Sequence, residues 1–341
     1  MPGATYSYTT DIYQCATDIP AHVWRALEKY AVRANCILPI MVKVLEAERE
    51  GMTVPSDQSW IVYHSPNSST VDFILSSTRN EIGDYPIFIV PLCEPAALTV
   101  NFIRPRLEAM VDKLLTVTKI TRVYSVFAPY LVSHLFSKIW TELTGIQAES
   151  QPYYDSKLSY CTESTLQSRE NTMTSNIVHN SRAANSADIP RIAELCYEFA
   201  RDSEPFILSG DEALFEAKVL VGNQQVWVHE VSVPGSRPNI ACIAAFTRNS
   251  ETNATITKVF TDNRYRGLKC AQRLVRRVCR YLFTSKGKDT VSLYVGRSKG
   301  AAAKVYHNVG FVGLEGPAAQ IDDMTWLEIG FDRTKVTLGH W

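Results

Sequence analysis

The 341-residue sequence has no apolar run long enough to cross a bilayer. Its densest one, Cys36-Ile-Leu-Pro-Ile-Met-Val42, is broken by Pro39 and followed by Lys43, whereas a spanning helix needs about 20 residues. The first residues, Met1-Pro-Gly-Ala-Thr-Tyr-Ser-Tyr8, contain neither the basic nor the apolar region of a signal peptide. Net charge is also lacking, with 35 Lys and Arg against 35 Asp and Glu. That balance sets aside a uniformly basic nucleic-acid-binding or membrane-surface protein. Eight cysteines occur, but no CxxC and no Cys/His cluster at zinc spacing, so no metal is expected. Most of these cysteines sit inside apolar runs, as buried reduced thiols do, which points to a cytoplasmic chain. In that compartment the sequons at Asn67 and Asn253 go unused. At 45% hydrophobic and 21% charged, the composition is neither disordered nor collagen-like.

What is present is unevenly placed. Between Arg264 and Lys304 lie twelve basic residues and a single acid, Asp289, giving +11 and leaving −11 for the rest. A neutral chain with one basic segment has a place for an anion. The length exceeds what one core usually organises, and the polar, aperiodic stretch 167–176 is the expected linker between domains at 1–166 and 177–341. In the second half, helical spacing over 186–201 is followed by strands at 226–231, 240–246 and 255–261. Ala271, Leu274, Val275, Val278, Cys279 and Leu282 then form one stripe of a helix, with Arg273, Arg276, Arg277 and Arg280 on its other face. A strand at 290–295, a helix over 298–308 and strands at 311–314, 325–331 and 335–338 complete this half. The first half repeats the order, with a long helix over 21–50, strands at 60–64, 71–77 and 87–92, a helix over 101–115, a strand at 121–127 and a helix over 129–144. The two series superpose at an offset of roughly 170 residues, an internal repeat.

The chemistry concentrates in Thr255-Ile-Thr-Lys-Val-Phe-Thr-Asp-Asn-Arg-Tyr-Arg-Gly-Leu-Lys-Cys-Ala271, a strand, a turn and a helix start. Backbone amides at a helix N-terminus suit a pyrophosphate. Gly267 allows close approach, and Arg264, Arg266 and Lys269 add charge. Lys299-Gly-Ala-Ala-Ala-Lys-Val-Tyr-His-Asn-Val-Gly-Phe311 follows the next strand.

Together these two segments resemble the acetyl-CoA-binding half of the GNAT acyltransferases. The family's Arg/Gln-x-x-Gly-x-Gly/Ala loop falls on Arg266 to Ala271, and its Asn-x-x-Ala-x-x-x-Tyr-x-x-x-Gly-Phe helix on Lys299, Ala302, Tyr306, Gly310 and Phe311. The likeness spans about 177–315, roughly 40% of the chain. It implies that backbone at Val259, Phe260 and Thr261 pairs with pantetheine where two parallel strands splay. It also implies that amides of Leu268, Lys269, Cys270 and Ala271 hold the pyrophosphate, and that Tyr306 is the general acid for the departing thiolate. A phenol of pKa about 10 matches a thiolate in basicity. Lys269 stands where the family has a loop glycine, and Lys299 where it has asparagine. A left-handed backbone at Lys269 would be strained, whereas a negative φ would let its charge assist.

No general base stands out. His229 and Glu230 lie on a strand and Glu212 and Glu216 on a helix, where surface or structural roles are the commoner case. Phe206, Trp227 and Trp326 are candidates to line an apolar acceptor site. In the first half the equivalent turn reads Leu92-Cys-Glu-Pro-Ala-Ala-Leu-Thr-Val, without glycine from 84 to 144, and Glu94 would repel phosphate. The expected architecture is therefore α/β (α+β). Two tandem GNAT-like lobes, each a mixed, mostly antiparallel sheet flanked by helices, resemble glycine N-acyltransferase-type proteins with a degenerate first lobe. The implied function is acetyl transfer from acetyl-CoA, without metal, to a small amine or amino-acid-like acceptor. GNAT-fold chemistry of another kind, or non-catalytic CoA binding, are the alternatives.

Overall fold

A computed structural model describes residues 9–65, 70–79, 83–168, 176–315 and 324–340. The chain forms two compact units, Met1–Ser156 with Asp322–Trp341, and Lys157–Ile321. Among the described residues no helix is long and apolar enough to cross a membrane.

The first unit runs β1 (Thr10–Tyr13), α1 (Ala21–Lys29), α2 (Leu38–Arg49), β2 (Ser59–His64), β3 (Val71–Ser77), β4 (Ile87–Pro91), α3 (Val100–Val117), β5 (Ser125–Pro129) and α4 (Tyr130–Thr144). The helix expected over 21–50 is two helices. Turns occupy 30–37, and Pro39, which has no amide to donate, sits in the first turn of α2. Strands β1 to β4 pair antiparallel in sequence order, while β4 and β5 pair parallel through Ile87–Val126 and Phe88–Phe127. Ile103, Leu107, Met110 and Leu114 of α3 and Val132, Phe136 and Trp140 of α4 pack on the strand residues Ile61, Phe73, Leu75 and Ile87. Strand β6 (Tyr154–Thr162) begins in this unit and runs into the second.

The second unit continues with β7 (Val178–Ala183), α5 (Ile189–Arg201), α6 (Gly210–Gly222), β8 (Val226–Ser232), β9 (Asn239–Ala245), β10 (Arg248–Asn249), β11 (Asn253–Ile256), β12 (Lys258–Thr261), α7 (Cys270–Lys286), β13 (Thr290–Gly296) and α8 (Gly300–His307). One antiparallel sheet has the order β12-β9-β8-β7. Its strand alternation serves two helical layers. Val226, Val228 and Ile243 face α5 and α6, whereas Trp227, Val231, Cys242 and Ala244 face α7. β11 instead pairs parallel with β13, Asn253 to Thr290 through Ile256 to Leu293. Asn253 is wholly buried and bonded to Ser292 and Thr290, so its sequon is closed to glycosylation; Asn67 lies outside the described residues.

The boundaries differ from 1–166 and 177–341. The last strand, β14 (Thr325–Gly330), pairs antiparallel with β5, Trp326 to Pro129 through Gly330 to Ser125. It buries Trp326 against Phe127, ring centroids 5.2 Å apart, so the C-terminal segment completes the first unit's core. The division falls inside β6, ahead of the expected linker, of which residues 169–175 lie outside the described set. Neither 311–314 nor 335–338 is a strand. Beyond their local turns, Val312 N–H bonds the Tyr160 carbonyl and Thr337 N–H the Thr121 carbonyl. The strand expected at 121–127 starts only at Ser125, after a 3-10 turn over Ile120–Arg122.

Candidate active site in the second unit

The segment expected as one strand over 255–261 changes sheets midway. Thr257 N–H donates to the Ala245 carbonyl, and Ala245 is also the register partner of Lys258. Two residues thus oppose one, a β-bulge that turns β12 away from β13 and onto β9. The parallel pair β11–β13 therefore opens at its C-terminal end. Asp262 N–H bonds the Ala241 carbonyl, and alternate residues of an antiparallel ladder point the same way. Lys258 and Phe260 accordingly bond β9, while Val259 and Thr261 turn their amides and carbonyls to the opened edge. The alternation divides Val259, Phe260 and Thr261 more finely than the sequence does.

At the end of β12 the chain makes a 3-10 turn, Asn263–Tyr265, capped by the Asp262 carboxylate on Arg264 N–H at 2.9 Å. Asp262 is buried and also takes the guanidinium groups of Arg264 and Arg191. The Arg264 hydrogen bonds, with help from Arg191, hold its carboxyl well below the usual carboxylate range. Arg264 is thus committed to Asp262, although sequence reasoning assigned its charge to the loop. Asp262 itself was missed; an Asp-Asn pair opening a turn is the capping signal that marks it.

Gly267 follows at φ +84° and Lys269 at φ +58°, ψ +27°. Lys269 is the N-cap of α7 and makes no side-chain cap bond; no acid lies in the first turn. The helix start therefore presents its first amides with no residue of its own to cap them from a side chain. Left-handed backbone at a lysine costs about 1–3 kcal/mol, so the strained alternative is the one the chain adopts. Arg266, Gly267 and Lys269 are exposed, Leu268 and Ala271 half-buried. The Cys270 side chain turns inward and is buried.

On α8, Lys299 is the exposed N-cap, its carbonyl accepting from Ala302 and Ala303 N–H. Ala302 and Tyr306 are half-buried against the α7 core, and the Tyr306 ring meets Phe311 edge-on at 5.8 Å. Gly310 has φ +119°, and a Cβ there would collide with the Thr165 carbonyl. Arg276 is buried rather than solvated, donating to the Asn308 carbonyl at 2.9 Å. It ties α7 to the end of the helix that carries Tyr306.

The weak base candidates all have structural partners. Glu212 closes the capping box of α6 with Ser209, Glu216 holds Lys258 at 2.6 Å, and Glu230 holds Arg182 at 2.6 Å. His229 is buried between His179 and Ser181. Trp326 is buried against Phe127 in the first unit and Trp227 is covered by Tyr281 at 5.0 Å, so neither is an exposed acceptor wall; Phe206 is half-buried.

Residues 188–311 match the acetyltransferase (GNAT) family model. No curated protein matches the sequence. Among solved structures, a Drosophila protein aligns at 9% identity over 95% of this chain and 98% of its own, with a TM-score of 0.59. A tandem GNAT protein from the clavulanic acid biosynthesis pathway aligns at 10% identity over 94% and 97%, TM-score 0.49. A GCN5-related N-acetyltransferase from Sphaerobacter thermophilus aligns at 13% identity over 94% of both chains, TM-score 0.49. The bulged strand, the turn, α7, β13 and α8 all lie within the residues that match the acetyltransferase (GNAT) family model, and all of those residues are in the second unit.

Proposed function

We propose that the second unit transfers an acyl group, acetyl in the first instance, from CoA to the nitrogen of a small amine or amino-acid-like acceptor. One observation carries this reading. A strand edge opened by a bulge leads directly into a helix start that lacks a side-chain cap and an acid in its first turn. An extended arm ending in a pyrophosphate matches that sequence of features. The amides of Val259 and Thr261 face the arm, and those of Leu268, Lys269, Cys270 and Ala271 face the phosphates. Arg266 and Lys269 supply exposed positive charge.

The neutral amine attacks the thioester carbonyl, forming the C–N bond and a tetrahedral oxyanion that a β12 amide stabilises. Collapse breaks the C–S bond. The electron pair leaves on sulfur, which takes the Tyr306 phenolic proton. The proton shed by the amine nitrogen returns through solvent to Tyr306. None of the eight cysteines is in a disulfide, which supports work in a reducing, cytoplasmic compartment.

Purified protein with acetyl-CoA and a panel of small amines should release free thiol, and calorimetry should detect CoA. Absence of CoA binding overturns the reading. A non-catalytic CoA-binding role has one observation in its favour, the strained Lys269 where the resembled family has glycine. Tyr306→Phe separates the two: an enzyme loses turnover and keeps CoA, whereas a binding module has no turnover to lose.

A further inference from the structure

We propose that His179, His229 and Cys270 form a transition-metal site, best suited to Zn2+, beneath the first turn of α7. The inference stands independently of acyl transfer.

Three separate elements bring the ligands together. Ser181 is the register partner of His229 across β7 and β8, so His179, two residues earlier, shares its face of the sheet. Trp227 and Val231 occupy the same face of β8 and pack in the apolar layer under α7. A wholly buried imidazole in such a layer is costly unless its nitrogens are used. Cys270 is the first residue of α7, and its thiol also points into this layer.

The geometry is close to that of a bound ion. His179 Nδ1 and His229 Nε2 are 3.0 Å apart, and with Cys270 Sγ they lie within 4.8 Å of one another. Tetrahedral zinc, with Zn–N of about 2.0–2.1 Å and Zn–S of about 2.3 Å, sets its ligand atoms roughly 3.3–3.7 Å apart. Small rotations of the half-buried His179 and of the cysteine reach that spacing. Two imidazoles and a thiolate select zinc or cuprous copper over magnesium or calcium.

The surroundings prepare the ligands. Ser181 Oγ is 2.7 Å from His229 Nδ1; an Nδ1–H donated to that oxygen leaves the Nε2 lone pair directed at His179 and the ion. Loading balances with one proton. His179 moves its proton from Nδ1 to Nε2, the Cys270 thiol gives its proton to solvent, and the S–metal bond forms. A fourth position remains for water. Arg273 opposes the ion's charge and so sets the affinity. The residues are 50 and 41 positions apart in sequence, so no local motif announces them.

The test uses the full chain, stripped with chelator and titrated first with Co2+ and then with Zn2+. One Co2+ per chain should bind with a thiolate charge-transfer band and tetrahedral d–d bands, and Zn2+ should displace it. Cys270→Ser should remove the charge-transfer band. His179→Asn, at the half-exposed ligand, should weaken binding at least about 100-fold, and Arg273→Met should tighten it by about tenfold. Circular dichroism establishes that each variant is folded. Absence of stoichiometric binding by the parent chain, or an undiminished band in Cys270→Ser, overturns the proposal.

Discussion

Each unit sends a parallel strand into a helix and back to a parallel neighbour, and the two helix starts differ in nearly every polar detail. In the first unit Thr99 caps α3 in ordinary extended geometry, its hydroxyl accepting from Phe102 N–H at 3.3 Å. The turn before it is tied inward. Arg33 donates to the Cys93 carbonyl at 2.8 Å and Tyr30 to the Glu94 carboxylate at 3.0 Å. Strand β4 stays in one sheet with β3 and β5. In the second unit a bulge separates β12 from β13, Gly267 and Lys269 adopt left-handed backbone, and the helix start has no side-chain cap. The topology is shared. A threonine, a glutamate and a missing bulge turn a ligand-shaped terminus into a self-satisfied one.

The largest difference to probe lies at the far end of each crossover. Gly145 caps α4 at φ +70° with open space around it, whereas Gly310 follows α8 at φ +119° against the Thr165 carbonyl. Gly145→Ala should cost about 1 kcal/mol through backbone strain alone. Gly310→Ala adds a collision with backbone and should cost about 3–5 kcal/mol. Urea unfolding with hydrogen exchange resolved by unit checks both, and equal costs would break the comparison. Next in size is the transfer of the first unit's acidic turn to the second. Lys269→Glu brings an acid into the second unit's turn, at the N-cap of α7, and CoA affinity should fall about 100-fold by calorimetry. Unchanged affinity would remove this helix start as the phosphate site.

The parts of this contrast that read from sequence are the local ones. The stripe from Ala271 to Leu282 and the apolar residues of β4 and β13 specify their elements through periodicity and length. Arg266-Gly267 marks a turn ahead of a helix. What does not read is the choice of distant partners. The pattern at 325–331 announces a strand but not that it pairs with β5, and that pairing moves the C-terminal segment into the first unit. Arg276 looks like part of a solvated helix face until its guanidinium is found on the Asn308 carbonyl. His229 looks like strand surface because its neighbours His179 and Cys270 arrive from other elements. The bulge at Thr257 shows only through hydrogen bonding, since threonine suits either side of it.

The smallest effects test the two caps directly, and they carry opposite signs. Thr99→Ala removes a satisfied cap and should destabilise the first unit by about 1 kcal/mol. Lys269→Gly replaces a strained left-handed residue with one that adopts φ +58° freely, and should stabilise the second unit by about 1 kcal/mol. For units of this size each corresponds to a shift of about 2–4 °C in Tm. Hydrogen exchange on peptides from each unit assigns the change to its own side. Thr99→Ala should leave CoA binding untouched, because that helix start is satisfied by its own threonine. A drop in stability for Lys269→Gly would mean that the lysine's side-chain contacts outweigh its backbone strain. The second helix start would then, like the first, be held by its own residues rather than kept open for phosphate.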